Sequence, residues 1–253
     1  MSANQSAAQA APSILMTVVY LIRHGQASFG KQDYDRLSSV GERQARVTGE
    51  HMRHHLPRLD RIFSGGMVRQ EHSATIAREA LGENAPPVGT IPAFAEYDHV
   101  ALFKAYLPSF LAESGAPVNS LDDLLGDYKL LERALRFVLS SWLNDRPNEA
   151  APVLSWSDFK QRTGDALDEL LSTCEPDSRV AIFTSGGIIT ALLDRLLGLS
   201  AQTALGLAVS LYNASITQLS CPAKHGAGGR LLVGYNNITH LEITGDRNLI
   251  TFR

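Results

Sequence analysis

Thr17–Gly25 reads TVVYLIRHG. Its first six residues are β-branched, aliphatic or aromatic with no polar alternation, which predicts a strand covered on both faces. The run stops at Arg23-His24-Gly25, so a guanidinium and an imidazole stand at the strand's carboxyl end, next to a glycine. In an open α/β sheet ligands bind at that end, because helix N-termini there point backbone N–H groups outward.

Working outward, Ser39 with Glu42 forms a capping-box pattern for a helix running to about His55, where Pro57 stops it. Leu59–Phe63 predicts a second strand, followed by a Gly65-Gly66 turn and a helix from about Met67 to Leu81. The unit recurs at Arg179–Phe183 (RVAIF), with a Thr184-Ser185-Gly186-Gly187 turn and a helix from Ile188 to Leu197. Repeated strand–turn–helix units predict an α/β three-layer sandwich, with a mostly parallel central sheet and helices on both faces. Between about 97 and 150 the β pattern vanishes, and Leu121–Trp142 (LDDLLGDYKLLERALRFVLSSW) carries apolar residues at helical spacing, which predicts an inserted helical cap. A helix over about Ser157–Ser172 returns to the sheet. Strands are expected near Ser215–Leu219, Arg230–Tyr235 and Leu249–Phe252, with Lys224–Gly229 as a connecting loop.

The 253 residues, 44% hydrophobic and 19% charged, suit one domain over 17–253 that builds its core without staples. A net charge of −3 offers no broad basic field for nucleic acid or an anionic membrane, so any anion site must be local. Cys174 and Cys221 form no C-x-x-C pair, which argues against structural zinc and a disulfide framework and fits a reducing cytoplasm. No apolar run is long enough to span a bilayer. Met1–Met16, rich in Ala, Ser and Gln and without the charged and apolar regions of a signal peptide, is expected to be a disordered leader.

Three turns then fall at strand ends: one with Arg23 and His24, one just before Arg69, and one with Ser185, Gly186 and Gly187. Guanidinium groups grip two phosphate oxygens at once, and an imidazole is a nucleophile partly unprotonated near neutral pH. Each residue alone has a plainer reading. A histidine after an apolar strand is usually structural, an arginine on a helix is usually solvated, and Glu96 after a Pro92-containing loop is usually just exposed. His51, His54 and His55, near one another on one helix, read as a polar helix end rather than metal ligands.

The motifs in their order tip the balance. Leu21–Gly25 (LIRHG) resembles the signature of the histidine phosphatase superfamily, of phosphoglycerate mutase-like fold, and Leu37–Ala45 (LSSVGERQA) is similar to its L-[ST]-x-x-G-x-x-Q-A. Arg69 stands where that family places a second phosphate-binding arginine, in a segment otherwise reduced to GGMVRQEHS at Gly65–Ser73. Phe94-Ala95-Glu96 resembles the L-x-E that supplies its acid, Tyr212–Thr217 (YNASIT) its N-x-S-[IV]-T strand, and Tyr235–Leu241 (YNNITHL) its closing motif with His240. The resemblance implies double displacement without metal or cofactor: His24 attacks phosphorus, Arg23 and Arg69 spread the charge, and Glu96 serves first as acid and then as base, with Asp98 its rival and Gln26 a further candidate contact.

Two departures stand out. Val180–Gly187 (VAIFTSGG) is similar to V-x-V-V-S-H-G-G, so Ser185 replaces the second pocket histidine, and its hydroxyl, with Gly186, is expected to contact phosphate instead. Losing one such donor typically costs about a hundred- to a thousandfold in rate. Gly30 also stands where many relatives have Asn. The expected activity is therefore hydrolysis of a small phosphorylated metabolite through phosphohistidine, with a catalytically weak phospho-ligand binding or regulatory protein as the alternative. A mutase fits less well, because no E-R-x-Y-G-x-L-x-G run follows Glu96.

Overall fold

The computed structural model describes residues 16–28, 35–56, 58–115, 126–148, 152–222 and 229–252. Most of the expected leader, Gly30, Pro57, the cap segment 116–125 and the loop residues 224–228 lie outside them. Strand β1 (Met16–Arg23) sits in a six-stranded sheet with β2 (Arg61–Ser64), β3 (Val88–Thr90), β4 (Arg179–Thr184), β5 (Ile216–Pro222) and β6 (Leu231–Asn237). The order is β3-β2-β4-β1-β5-β6, and only β5 runs against the others. This is the mostly parallel α/β sheet that the sequence predicts.

The pleat explains why β1 and β4 are apolar throughout. Tyr20, Ile22, Ala181 and Phe183 point to one face, where they meet Met52 of α1 (Ser39–His55) and Ala74 and Ala77 of α2 (Val68–Leu81). Val19, Leu21, Val180 and Ile182 point to the other, against α5 (Trp156–Ser172) and α6 (Gly186–Leu197) through Leu167, Ile188 and Leu192. Both faces are thus dry, and each side chain so buried contributes about 1.5–3 kcal/mol relative to exposure.

Two helices missing a sheet partner, α3 (His99–Ser114) and α4 (Tyr128–Leu143), pair through Phe110, Ala134 and Phe137. They are tied to α5 by an aromatic cluster in which Trp142 packs 5.0 Å from Trp156 and 5.3 Å from Phe159. The Trp142 indole N–H also donates to the Leu154 carbonyl at 2.8 Å.

Several boundaries differ from expectation. The cap of α1 is Ser38, whose hydroxyl accepts from the Gly41 amide at 3.1 Å, so Ser39 is already helical. α6 begins at Gly186, two residues before Ile188, because β4 turns straight into it at Ser185. The segment Leu249–Phe252 is no strand: Asp246 caps a short turn of 3-10 helix at Arg247–Leu249 and the chain continues without a ladder, its Thr251 carbonyl accepting once from the Asn213 amide at 2.8 Å. Short β3, helix α7 (Ala201–Ser210) and the single turn α8 (Thr239–Glu242) carry too little period to have been read in advance.

Candidate active site

The Arg-His-Gly tip of β1 is held by close backbone packing. A Cβ on Gly25 would come within 2.4 Å of the Gly41 carbonyl oxygen, and one on Gly41 within 2.2 Å of the Gln26 carbonyl oxygen. Both positions require glycine, which lets the first turn of α1 sit directly on the strand end. Ser73 fastens the other side, accepting from the Gly25 amide at 3.0 Å and donating to the Arg69 carbonyl at 2.7 Å. Below, the His24 amide donates to Thr184 at 2.8 Å, so β4 carries the tip as well.

His24 is 6% exposed, with Nδ1 2.7 Å from the Gly25 carbonyl oxygen, a contact that requires Nδ1–H as donor. Its Nε2 then holds the lone pair, and it accepts from Arg69 Nε at 3.0 Å. Burial first, and then the Arg69 and Arg23 guanidinium groups, hold the imidazole pKa well below its ordinary 6.5. The ring is neutral, and His24 lines a cavity.

That cavity, of about 330 Å³, is lined at one end by Arg23, His24, Arg69, Glu96, His99, Gly186 and Gly187. Arg69 is 4% exposed and donates from Nη1 to Asp35 Oδ1 at 2.5 Å. Arg23 Nη1 donates to the Leu211 and Phe252 carbonyls, the latter at 3.0 Å. Glu96 uses both oxygens as acceptors: Oε2 from the Gly187 amide at 3.0 Å and Oε1 from the Tyr97 amide at 3.2 Å. The same cavity has an apolar lining too, Leu131, Leu135 and Leu139 on one stripe of α4 with Ala208, Val209 and Phe252.

The structure thus brings together Arg23, His24, Arg69, Glu96 and Gly186 but separates three other candidates from them. Ser185 is 1% exposed, its hydroxyl accepts from Gln70 Nε2 at 2.8 Å, and it is not among the residues that line the cavity, whereas Gly186 is. Asp98 caps α3, with Oδ1 accepting from the Val100 and Ala101 amides at 2.9 Å each, and does not line the cavity. Gln26 Oε1 accepts from Ser38 at 2.8 Å, which fixes the start of α1 rather than a ligand. His240, buried at the Thr48 hydroxyl with Nε2 3.1 Å away, is structural. Among the described residues no group of three or more His, Cys, Asp and Glu side chains could hold a metal, and no helix is long and apolar enough to cross a membrane.

Sequence reading missed His99, Asp35 and the α4 leucines. His99 had one available signal, an Asp-His pair opening a helix three residues after the acid; the leucines spaced by four were visible, but nothing said what they would face.

An open α/β sheet that sets an imidazole and a guanidinium at the tip of one strand, beside a second guanidinium at the start of a helix, has the makings of an oxyanion pocket. Residues 19–103 and 127–237 match the model of the histidine phosphatase superfamily, branch 1, and the chain belongs to that superfamily. No curated protein matches the sequence significantly. Solved structures with the same fold include a phosphoserine phosphatase from Entamoeba histolytica in complex with 3-phosphoglyceric acid, at 19% identity and TM-score 0.58 over 89% of this chain and 100% of that one. A phosphoglycerate mutase from Bacillus anthracis matches at 15% identity and TM-score 0.61, over 91% of this chain and 97% of its own. A mycobacterial glucosyl-3-phosphoglycerate phosphatase matches at 22% and TM-score 0.57, over 88% and 100%. Likeness at this level shows the fold.

Proposed function

We propose that the protein hydrolyses phosphate monoesters through a phosphohistidine on His24. The observation that carries this reading is the neutral imidazole of His24, its Nε2 beside the Arg69 guanidinium, in a cavity that Arg23 and Arg69 also line. In the first displacement Nε2 attacks phosphorus, the bond to the alcohol oxygen breaks, and Glu96 protonates that oxygen while Arg23 and Arg69 hold the equatorial oxygens. In the second, Glu96 takes a proton from water as its oxygen attacks phosphorus and the N–P bond breaks. No step needs a metal or cofactor.

The cavity lining indicates which esters fit. Among the described lining residues Arg23 and Arg69 are the only Arg or Lys side chains, and Glu132 is paired with Arg136 at 3.1 Å, so beyond the phosphate grip the lining itself supplies no cation for a carboxylate. The substrate is therefore a small phosphorylated metabolite whose alcohol part is largely apolar, unlike the acidic ligands named for some structural neighbours. A retained role in binding alone is the second reading, favoured by the turned-away Ser185 hydroxyl. Turnover of 1-naphthyl phosphate and 3-phosphoglycerate by the wild type and His24→Ala, with phosphorus NMR of the denatured, trapped enzyme, tests both. Hydrolysis lost in the variant, a phosphohistidine signal and preference for the naphthyl ester are expected. Phosphate binding without turnover would establish the second reading instead.

A further inference from the structure

We propose that His99 is a catalytic residue of this site, the imidazole whose N–H meets a non-bridging oxygen of the phosphoryl group as it passes from the ester to His24. The inference rests on the phosphoryl-transfer reading of the cavity and adds a residue that neither the sequence motifs nor the family match assigns.

Donor supply is the physical argument. An in-line transfer spreads negative charge over three equatorial oxygens, and the most useful groups are N–H donors already aimed at them. Part of the donor capacity at this end of the cavity is already committed within the protein. Arg23 Nη1 is bonded to two carbonyls, Arg69 Nη1 to Asp35, and the Gly187 amide to Glu96. The Ser185 hydroxyl lies under the floor against Gln70. His99 lines the same cavity end, and neither of its ring nitrogens has a hydrogen-bond partner among the described residues.

Its ring is also positioned rather than loose. His99 is the first residue of α3, fixed by the Asp98 cap, and it packs edge-on to Tyr97 at 4.4 Å. Tyr97 in turn rests on Trp142 at 4.5 Å and Phe159 at 6.0 Å, so the aromatic cluster that joins α4 to α5 also aims His99. Burial lowers its pKa below 6.5, with Glu96 opposing and Arg69 reinforcing the shift. A neutral imidazole with one N–H suits a donor. It keeps that proton throughout: the leaving alkoxide is protonated by Glu96, and His99 contributes only a hydrogen bond.

The full chain and its His99→Ala and His99→Gln variants would be compared for turnover of 4-nitrophenyl phosphate, and by calorimetry for affinity toward vanadate and inorganic phosphate. The expected result for His99→Ala is a fall in kcat of about a hundredfold. KM should stay within about threefold, as for a contact made mainly in the transition state. Vanadate affinity should fall much further than phosphate affinity, and the Gln variant, which keeps an N–H donor, should recover part of both losses. Equal losses for the two anions, or equal defects in Ala and Gln, would make His99 structural and overturn the proposal. If the wild type binds vanadate without turnover, the hydrolase reading fails, yet the vanadate-to-phosphate ratio still decides the role of His99. If it binds neither anion, both fall.

Discussion

Gly187→Ala tests the acid without touching it. A Cβ built at Gly187 lies 2.1 Å from Glu96 Oε1 and 2.7 and 2.8 Å from two Tyr97 ring carbons. Ordinary contact begins near 3.4 Å, so the carboxylate must retreat by about 1.3 Å and its bond from the Gly187 amide is strained or broken. A misplacement of about 1 Å can cost a hundredfold in rate, and general acid catalysis as a whole is worth about 10²–10⁴. Because an acid matters only when the leaving oxygen needs a proton, the loss should depend on the ester. For an alkyl phosphate kcat/KM is expected to drop by roughly 10²-fold, and for 4-nitrophenyl phosphate, whose phenolate leaves unaided, by less than about tenfold. Overpacking of this kind costs about 1–3 kcal/mol of stability, measurable by urea unfolding, so assays belong well below the midpoint. Equal losses on the two esters, or none on either, would refute Glu96 as the proton donor.

Three further outcomes follow from the same geometry. Nitrogen NMR of the histidine rings should show His24 as the neutral Nδ1–H tautomer at pH 6.5, since burial and two arginines depress its pKa; a ring half protonated there would contradict the site electrostatics. Ser185→Ala should leave kcat/KM within about threefold of wild type, because the hydroxyl serves Gln70 rather than the cavity; a loss above about a hundredfold would return Ser185 to the phosphate. His240, with its pKa lowered to about 4 by burial and then His51, stays neutral in the fold while the unfolded chain protonates near 6.5. Its contribution is therefore intact above pH 6.5 and is lost as the pH falls toward 4, by about 2 kcal/mol at pH 5; urea unfolding of His240→Gln should show a correspondingly flatter pH dependence, and an unchanged one would refute this.

What could be read in the sequence divides along physical lines. β1, β4 and their turns were legible because strands buried on both faces must be continuously apolar, and Arg23, His24 and Arg69 because their chemistry is confined to strand tips. The surroundings of the Ser185 hydroxyl were not legible, because a hydroxyl at a strand tip has no sequence signature for its direction; in the fold it accepts from Gln70. His99 was passed over because the property that matters, lining the cavity from a different element, is tertiary. The α4 leucines show the same limit: a stripe at helical spacing reads alike whether it meets a core or a ligand.

A histidine that lines a cavity need not have a free lone pair. With Arg69 Nε donating to His24 Nε2 at 3.0 Å, the lone pair that would attack phosphorus is occupied. A phosphate oxygen is a stronger acceptor for a guanidinium than a neutral imidazole is, because the bond is then charge-assisted on both sides. Under the proposed mechanism, ester binding draws Arg69 off the ring, and the same movement uncovers Nε2 and delivers the cation to the oxygens that need it. Asp35, holding Nη1 at 2.5 Å from the solvent side, limits how far that guanidinium can travel, so the exchange is a short rotation about a fixed anchor rather than a reorganisation of the pocket.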